Sequence, residues 1–284
     1  MVEMNGKILR DKKLTELKEK IGTLDNQLGL AVIQVGNDEA SKVYVKQKEK
    51  LALELGYKFI HKVFEEDVEQ TKLIKYIKKL NKDDSIDGIL VQMPLPKHLD
   101  SSLVQNTIDS YKDVDGLTFI NAGRLVQDMP SLVPCTPKGI IDLLDEYKIK
   151  LEGSQVVVIG RSVLVGKPMA NLLTNRNASV TICHSKTKDI SLYTKNADIV
   201  IVAVGKQEFL KVDMIKDGAV VIDVGISRIN GKLKGDVDYD NVSKVAGYIT
   251  PVPGGVGPMT VYELMSNVLV AHNLRLKYCK KTSK

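Results

Sequence analysis

The chain alternates short, unbroken apolar runs with longer charged stretches in which apolar residues recur at helical spacing. The runs are Leu28–Val35 (LGLAVIQV), Tyr57–Phe64, Asp87–Met93 (DGILVQM), Gln155–Ile159 (QVVVI), Ala178–Cys183 (ASVTIC), Ala197–Val204 (ADIVIVAV) and Gly218–Val224 (GAVVIDV). Such runs read as parallel strands covered by helices on both faces. Between them the spacing predicts helices over Met4–Ile21, from Asn37–Ser41 to Leu55, over Val68–Leu80, over Gly139–Tyr147 behind a Thr136-Pro137 start, and over Tyr262–Tyr278. Gly56 ends the second helix, and Pro94-Leu95-Pro96 stops regular structure after the third strand. The glycines Gly231 and Gly235 suggest a short hairpin, and Ile249–Thr260 (ITPVPGGVGPMT) reads as irregular because of its Pro and Gly content.

Strands alternating with helices imply parallel sheets, and the pattern occurs twice. The expected fold is therefore α/β in two domains. An N-terminal domain takes 1–118 with a returning C-terminal helix at 259–284, and a Rossmann-type domain takes 119–258. In the second domain, Gln155–Ile159 ends at Gly160, and a helix follows with Gly166 at its start and Pro168 in its first turn. Amides at such a helix start bind anions. The glycine spacing is not the usual G-x-G-x-x-G, so the turn alone is a weak signal, and the four strands in order carry the assignment. At the end of the second strand the chain reads Cys183, His184, Ser185, Lys186, Thr187, with no carboxylate. A carboxylate there would bond the ribose hydroxyl of NAD, whereas small polar and basic groups admit the 2′-phosphate of NADP. Ser185, with Arg161 at the turn and Lys186, points to NADP.

Composition narrows the class without changing it. A hydrophobic content of 43% and a charged content of 27% over 284 residues suit a globular protein with two cores. No apolar run is long enough to cross a bilayer, and Met1–Leu9 lacks the apolar core of a signal peptide, so a cytoplasmic location is expected. Cys135, Cys183 and Cys279 are odd in number and far apart, which suggests neither disulfides nor a zinc site, and no metal is expected. The net charge of +6 favours anionic small molecules. No basic patch interleaved with aromatics marks a nucleic-acid site.

In the N-terminal half, residues 41, 44, 48, 51 and 55 share one helix face and read Ser, Tyr, Lys, Leu, Leu. Lys48 is either a lysine whose stem lies on the apolar face while its amine reaches water, or an acid/base group with a pKa lowered by burial. Gln92 ends an otherwise apolar strand, where a polar side chain either satisfies backbone or faces a ligand crevice. Asp113 and Asp115, in the loop Lys112–Gly116 (KDVDG), are either turn residues or carboxylates for an amidine-like N–C–N edge.

Taken together, DGILVQMPLP (87–96), KDVDG (112–116), GRSVLVGKP (160–168), CHSKT (183–187) and PGGVGPMT (253–260) resemble the methylenetetrahydrofolate dehydrogenase/cyclohydrolase family, in order and over nearly the whole chain. The resemblance implies a cleft between two domains and a homodimer. Its substrates would be tetrahydrofolates, polyglutamylated forms among them, within one-carbon metabolism. It assigns Lys48 as the acid/base group, Tyr44 and Gln92 as orienting groups, and Asp115 as the carboxylate on the pterin edge. Pro253, Gly254 and Gly255 fall on substrate positions. Gly160, Arg161, Ser162, Ser185 and Ile226 fall on positions that bind NADP. The implied chemistry is oxidation of 5,10-methylene-tetrahydrofolate to the methenyl cation, then hydrolysis to 10-formyl-tetrahydrofolate. A short-chain dehydrogenase shares the spacing Tyr44-x-x-x-Lys48, but there the pair follows the nucleotide turn, and here it precedes it. A non-catalytic folate sensor on the same fold would be expected to lose Lys48 or Gln92, and both are present.

Overall fold

The computed structural model describes residues 1–229 and 232–278, so Cys279 and Gly231 lie outside the described residues. Two compact units emerge: Met1–Lys13 with Pro134–Glu263, and Leu14–Val133 with the chain from Leu264 onward. The sequence drew the boundaries at 118/119 and 258/259. The structure groups 119–133 with the N-terminal unit, and Met1–Lys13 and 259–263 with the other.

The chain opens with β1 (Val2–Glu3) and α1 (Gly6–Gly22), then β2 (Gly29–Val35), α2 (Glu39–Glu54), β3 (Lys58–Phe64), α3 (Gln70–Asn81) and β4 (Gly88–Val91). Strands β2, β3 and β4 form a parallel sheet in the order β3-β2-β4. All seven residues of β2 are buried, as expected of a central strand without polar alternation. On one face Leu73, Ile77 and Leu80 of α3 pack with Ile33, Val35, Ile89 and Val91. Two helices of this unit were not foreseen: α4 (Ser101–Thr107), where the Asp100 carboxylate accepts from the Leu103 amide, and α5 (Phe119–Val126), capped by Thr118. Each is a single N-cap followed by one or two turns, too short to show a period.

The next elements are α6 (Cys135–Glu146), β5 (Gln155–Ile159), α7 (Gly166–Asn175), β6 (Ser179–Cys183), α8 (Ser191–Thr194), β7 (Ile199–Val202) and β8 (Val220–Asp223). They are followed by β9 (Ser227–Ile229), β10 (Lys232–Lys234), α9 (Tyr239–Val242), β11 (Tyr248–Ile249) and α10 (Val256–Tyr278). The large sheet runs β1-β11-β8-β7-β5-β6 and is parallel throughout, while β9 and β10 form an antiparallel hairpin. From β5 the chain moves outward to β6, then returns across β5 to β7. The strand order therefore reverses between β5 and β7, and ligands of such sheets bind at that switch point, beyond the strands' carboxyl ends. One expectation is corrected. The stretch Ile249–Thr260 is only partly irregular, because Tyr248–Ile249 pairs as β11 and α10 already starts at Val256. Pro258 falls in the first turn of α10, where proline's missing N–H has no helical partner to lose.

Candidate functional site

In the unit centred on the large sheet, the turn after β5 is shaped by contact. Gly160 has φ +130°, and a Cβ there would overlap the carbonyl oxygen of Ala203 at the end of β7. A Cβ on Gly166 would likewise overlap the Gly160 carbonyl, so α7 starts directly against the strand end. Only glycine fits either place. Between them, the Ser162 hydroxyl accepts from the Val165 amide at 3.1 Å, and the Ser162 carbonyl accepts from the Lys167 amide at 3.0 Å. The side chains of Arg161 and Ser162 are exposed.

Ser185 follows β6 in a turn closed by the His184 amide, which donates to Thr187 Oγ1 at 2.9 Å. The Lys186 amide donates to His184 Nδ1 at 3.1 Å, and Ser185 and Lys186 are exposed. Ile226, 50% exposed, follows β8. Gly160–Ser162, Ser185 and Ile226 therefore share the carboxyl edge of one parallel sheet, and no acid stands on the β6 turn. That arrangement fits a phosphorylated dinucleotide: glycines for close approach, helix-start amides for phosphate, and a cationic side chain without a competing carboxylate.

The Pro253–Gly255 stretch belongs to the same unit. Gly254 has φ +112° and its carbonyl accepts from the Lys7 amide at 3.1 Å, while the Gly255 amide donates to the Pro251 carbonyl at 2.8 Å. The start of α1 thus fixes this loop.

In the other unit the structure brings Lys48 and Gln92 together. Lys48 Nζ on α2 donates to Gln92 Oε1 at 2.9 Å. Gln92 is held by its own backbone, whose amide donates to the Ile33 carbonyl at 2.8 Å, and its Nε2 donates to the Met93 carbonyl at 2.9 Å. With the amide nitrogen spent on backbone, the carbonyl oxygen has to face the lysine. Tyr44 sits one turn earlier on α2 and is 52% exposed, so its ring faces solvent rather than the core.

The geometry distinguishes the two aspartates of this loop, of which the resemblance singled out Asp115. Asp113 continues the pairing of β4 as a bridge to Ile89 and is fully buried. It accepts from Thr118 N at 2.8 Å, Asn121 Nδ2 at 3.0 Å and Gln105 Nε2 at 3.1 Å, while burial pushes its carboxyl above the usual range. Asp113 therefore holds the loop, whereas Asp115 is half-buried. Lys112, buried in the same loop, donates to the carbonyls of Leu80 at 2.9 Å and Asp83 at 2.7 Å, closing the end of α3.

Among the described residues no group of three or more His, Cys, Asp or Glu is arranged to hold a metal ion, and no helix is long and apolar enough to cross a membrane. Cys135 and Cys183 are buried thiols.

The fold and the β5–β7 edge define a two-domain α/β protein with a dinucleotide-binding domain. Residues 4–115 match the family model for the tetrahydrofolate dehydrogenase/cyclohydrolase catalytic domain, and residues 134–276 match that family's NAD(P)-binding domain. The chain is 50% identical over 281 residues to the bifunctional protein FolD of Thermodesulfovibrio yellowstonii, covering 98% of each chain. It is 52% identical over 278 residues to that of Acetivibrio thermocellus, covering 96% of this chain and 98% of the relative. Among solved structures, the bifunctional FolD of Campylobacter jejuni superposes with a TM-score of 0.95 at 48% identity, covering 96% of this chain and 99% of that one. A Trypanosoma brucei enzyme complexed with NADP cofactor and inhibitor gives 0.92 at 35% identity, covering 98% and 99%. The chain belongs to the tetrahydrofolate dehydrogenase/cyclohydrolase family. It is a bifunctional enzyme.

Proposed function

We propose that the Lys48–Gln92 pair manages the protons of a two-step folate conversion. The enzyme oxidises 5,10-methylene-tetrahydrofolate to 5,10-methenyl-tetrahydrofolate with NADP⁺ and hydrolyses the product to 10-formyl-tetrahydrofolate. NADP⁺, when bound, accepts the hydride lost by the methylene carbon. In the hydrolysis, water attacks the amidinium carbon and must lose a proton, and a ring nitrogen must gain one before its bond to carbon breaks. Lys48 is the group that carries those protons. The observation behind this is the 2.9 Å contact from its amine to Gln92 Oε1, which holds the lysine head in place instead of leaving it to wander in water. Tyr44 and Gln92 orient the amine and the substrate. Asp115 accepts from the N–H groups along the pterin edge, a pairing of planar donors with a carboxylate.

Gly160 and the start of α7 receive the dinucleotide's phosphates, and Arg161, Ser162 and Ser185 take its ribose end. Ile226 covers its apolar part, and Pro253, Gly254 and Gly255 border the substrate. The enzyme acts in the cytoplasm, a reducing compartment in keeping with buried Cys135 and Cys183 thiols. It accepts polyglutamylated folates. It works as a homodimer through the large sheet, whose edge strand β6 leaves Ile182 38% exposed.

Mixing the protein with methylene-tetrahydrofolate and NADP⁺ should give NADPH absorbance together with 10-formyl-tetrahydrofolate. Light scattering should give about twice the chain mass of 31.4 kDa. NADPH without any formyl product would overturn the proton-managing role.

A further inference from the structure

Two buried carboxylates lie behind the dinucleotide edge, and no step of the reaction uses them. Asp236 is fully buried and Asp223 is 3% exposed. One oxygen of Asp236, Oδ2, accepts from the amides of Val204 at 2.7 Å and Gly205 at 2.9 Å, the turn that follows β7. Asp223 Oδ1 accepts from the amides of Gly225 at 3.1 Å and Asp236 at 2.9 Å, and its Oδ2 accepts from Val237 at 2.9 Å. The Asp223 amide in turn donates to Thr250 Oγ1 at 2.8 Å.

The space around these carboxylates is reserved for them. A Cβ on Gly225 would overlap the Asp236 carboxylate, and one on Gly235 would overlap Asp223 Oδ2. Both glycines therefore make room for a carboxylate. The paired acids tie three loops into one block: Val204–Gly205 after β7, Gly225–Ile226 after β8, and the exit of the β9–β10 hairpin. Two of the three lie on the carboxyl edge of the sheet. Val204–Gly205 follows Ala203, whose carbonyl leaves room only for glycine at Gly160 on the switch point, and Gly225 precedes Ile226.

We infer that Asp236 and Asp223 are positioning residues for the dinucleotide: they touch no ligand, but they set the height and angle of the turns that do. The inference rests on the reading of this edge as the NADP site. A carboxylate suits the task because one oxygen accepts two backbone amides and the negative charge strengthens both bonds. Removing it leaves two amides without an acceptor and frees the turn to tilt.

The enzyme carries its own reference, because hydrolysis of methenyl-tetrahydrofolate consumes no dinucleotide. Wild-type enzyme is first titrated with NADPH and followed by the nicotinamide fluorescence. No saturable binding would overturn the reading of the edge, independently of the aspartates. Given binding, Asp236→Ala should raise the KM for NADP⁺ about tenfold or more, since a misplacement of about 1 Å caused by a residue away from the reacting groups can cost on the order of 10²-fold. Its kcat at saturating NADP⁺ should stay within about threefold, and methenyl hydrolysis should not follow the KM. Asp236→Asn keeps an acceptor oxygen but loses the charge, so its KM should fall between the two. If Asp236→Ala does not fold, Asp236→Asn decides alone, with a KM raised about threefold or more. An unchanged KM in the variants that fold would overturn the inference. So would dehydrogenase and hydrolase activities falling in parallel, which would make the carboxylate merely structural.

Discussion

Gly160→Ala isolates the contact that shapes the dinucleotide turn. Two costs add. Alanine must adopt φ +130°, outside the regions open to L residues, at about 1–3 kcal/mol. Its methyl must also displace the Ala203 carbonyl, a backbone group at the end of β7 that cannot swing aside as a side-chain tip would. Overpacking of that kind costs about 1–3 kcal/mol. The sum is about 2–6 kcal/mol, and at roughly 2–4 °C per kcal/mol the melting temperature should fall by about 4–24 °C. Gly153→Ala is the matched control: φ is +74° there, but a Cβ would meet nothing within 4 Å, so only the conformational cost of about 1–2 kcal/mol applies. Calorimetry on the two variants separates the terms. Because the same turn presents Arg161 and Ser162, dehydrogenase activity should fall further than cyclohydrolase activity in Gly160→Ala. If the two variants melt together, the close approach of strand end to Ala203 is not what holds this turn.

Arg161→Ala and Ser185→Asp should each erode the preference for NADP⁺ over NAD⁺ by roughly ten- to a hundredfold in kcat/KM, and an unchanged ratio in both would remove these residues from the 2′-phosphate site. Glu263, whose side chain is 1% exposed, lies 2.8 Å from Lys138 Nζ, and burial pushes its carboxyl up to about 8. Because a carboxyl with a pKa of about 8 is already largely protonated at pH 6, Lys138→Met should cost little there, and the loss should approach about 3–5 kcal/mol only where the carboxylate is charged. The folded-state pKa is raised, so the loss should grow as pH rises through 8, where the folded protein must hold a charge that the unfolded chain carries freely. Adding Glu263→Gln should restore most of the stability, and urea melts at pH 6 and 9 would show whether it does.

What the sequence disclosed is what local pattern encodes. Strands β2, β5, β7 and β8 are apolar runs because nearly all of their residues on both faces are buried, and Gly160 and Gly56 stand where a positive φ is needed. Strands β1 and β11 are two residues each, and their pairing partners are far apart in the chain, so no periodicity marks them. That Asp113 is a structural acid, bonded by the Thr118 amide and the Asn121 side-chain amide, is announced by nothing in KDVDG. Lys112 reads as one more surface lysine until its amine is seen on the carbonyls closing α3, where burial brings its pKa down to about 8. Asp236 was equally silent: a buried acid behind a ligand edge has no signature of its own, only the glycines Gly225 and Gly235 that leave it space.

The central claim, that Lys48 manages protons for the hydrolytic step, has one direct test. Lys48→Met preserves most of the stem volume and removes the amine that Gln92 holds. Hydride transfer moves no proton at the reacting carbon, whereas hydrolysis moves two, and general acid–base help is worth about 10²–10⁴ in rate. Stopped-flow absorbance during oxidation of methylene-tetrahydrofolate should therefore show NADPH forming while methenyl-tetrahydrofolate accumulates, with its hydrolysis slowed by about that factor. A Lys48→Met enzyme that hydrolyses methenyl-tetrahydrofolate at the wild-type rate would contradict the account.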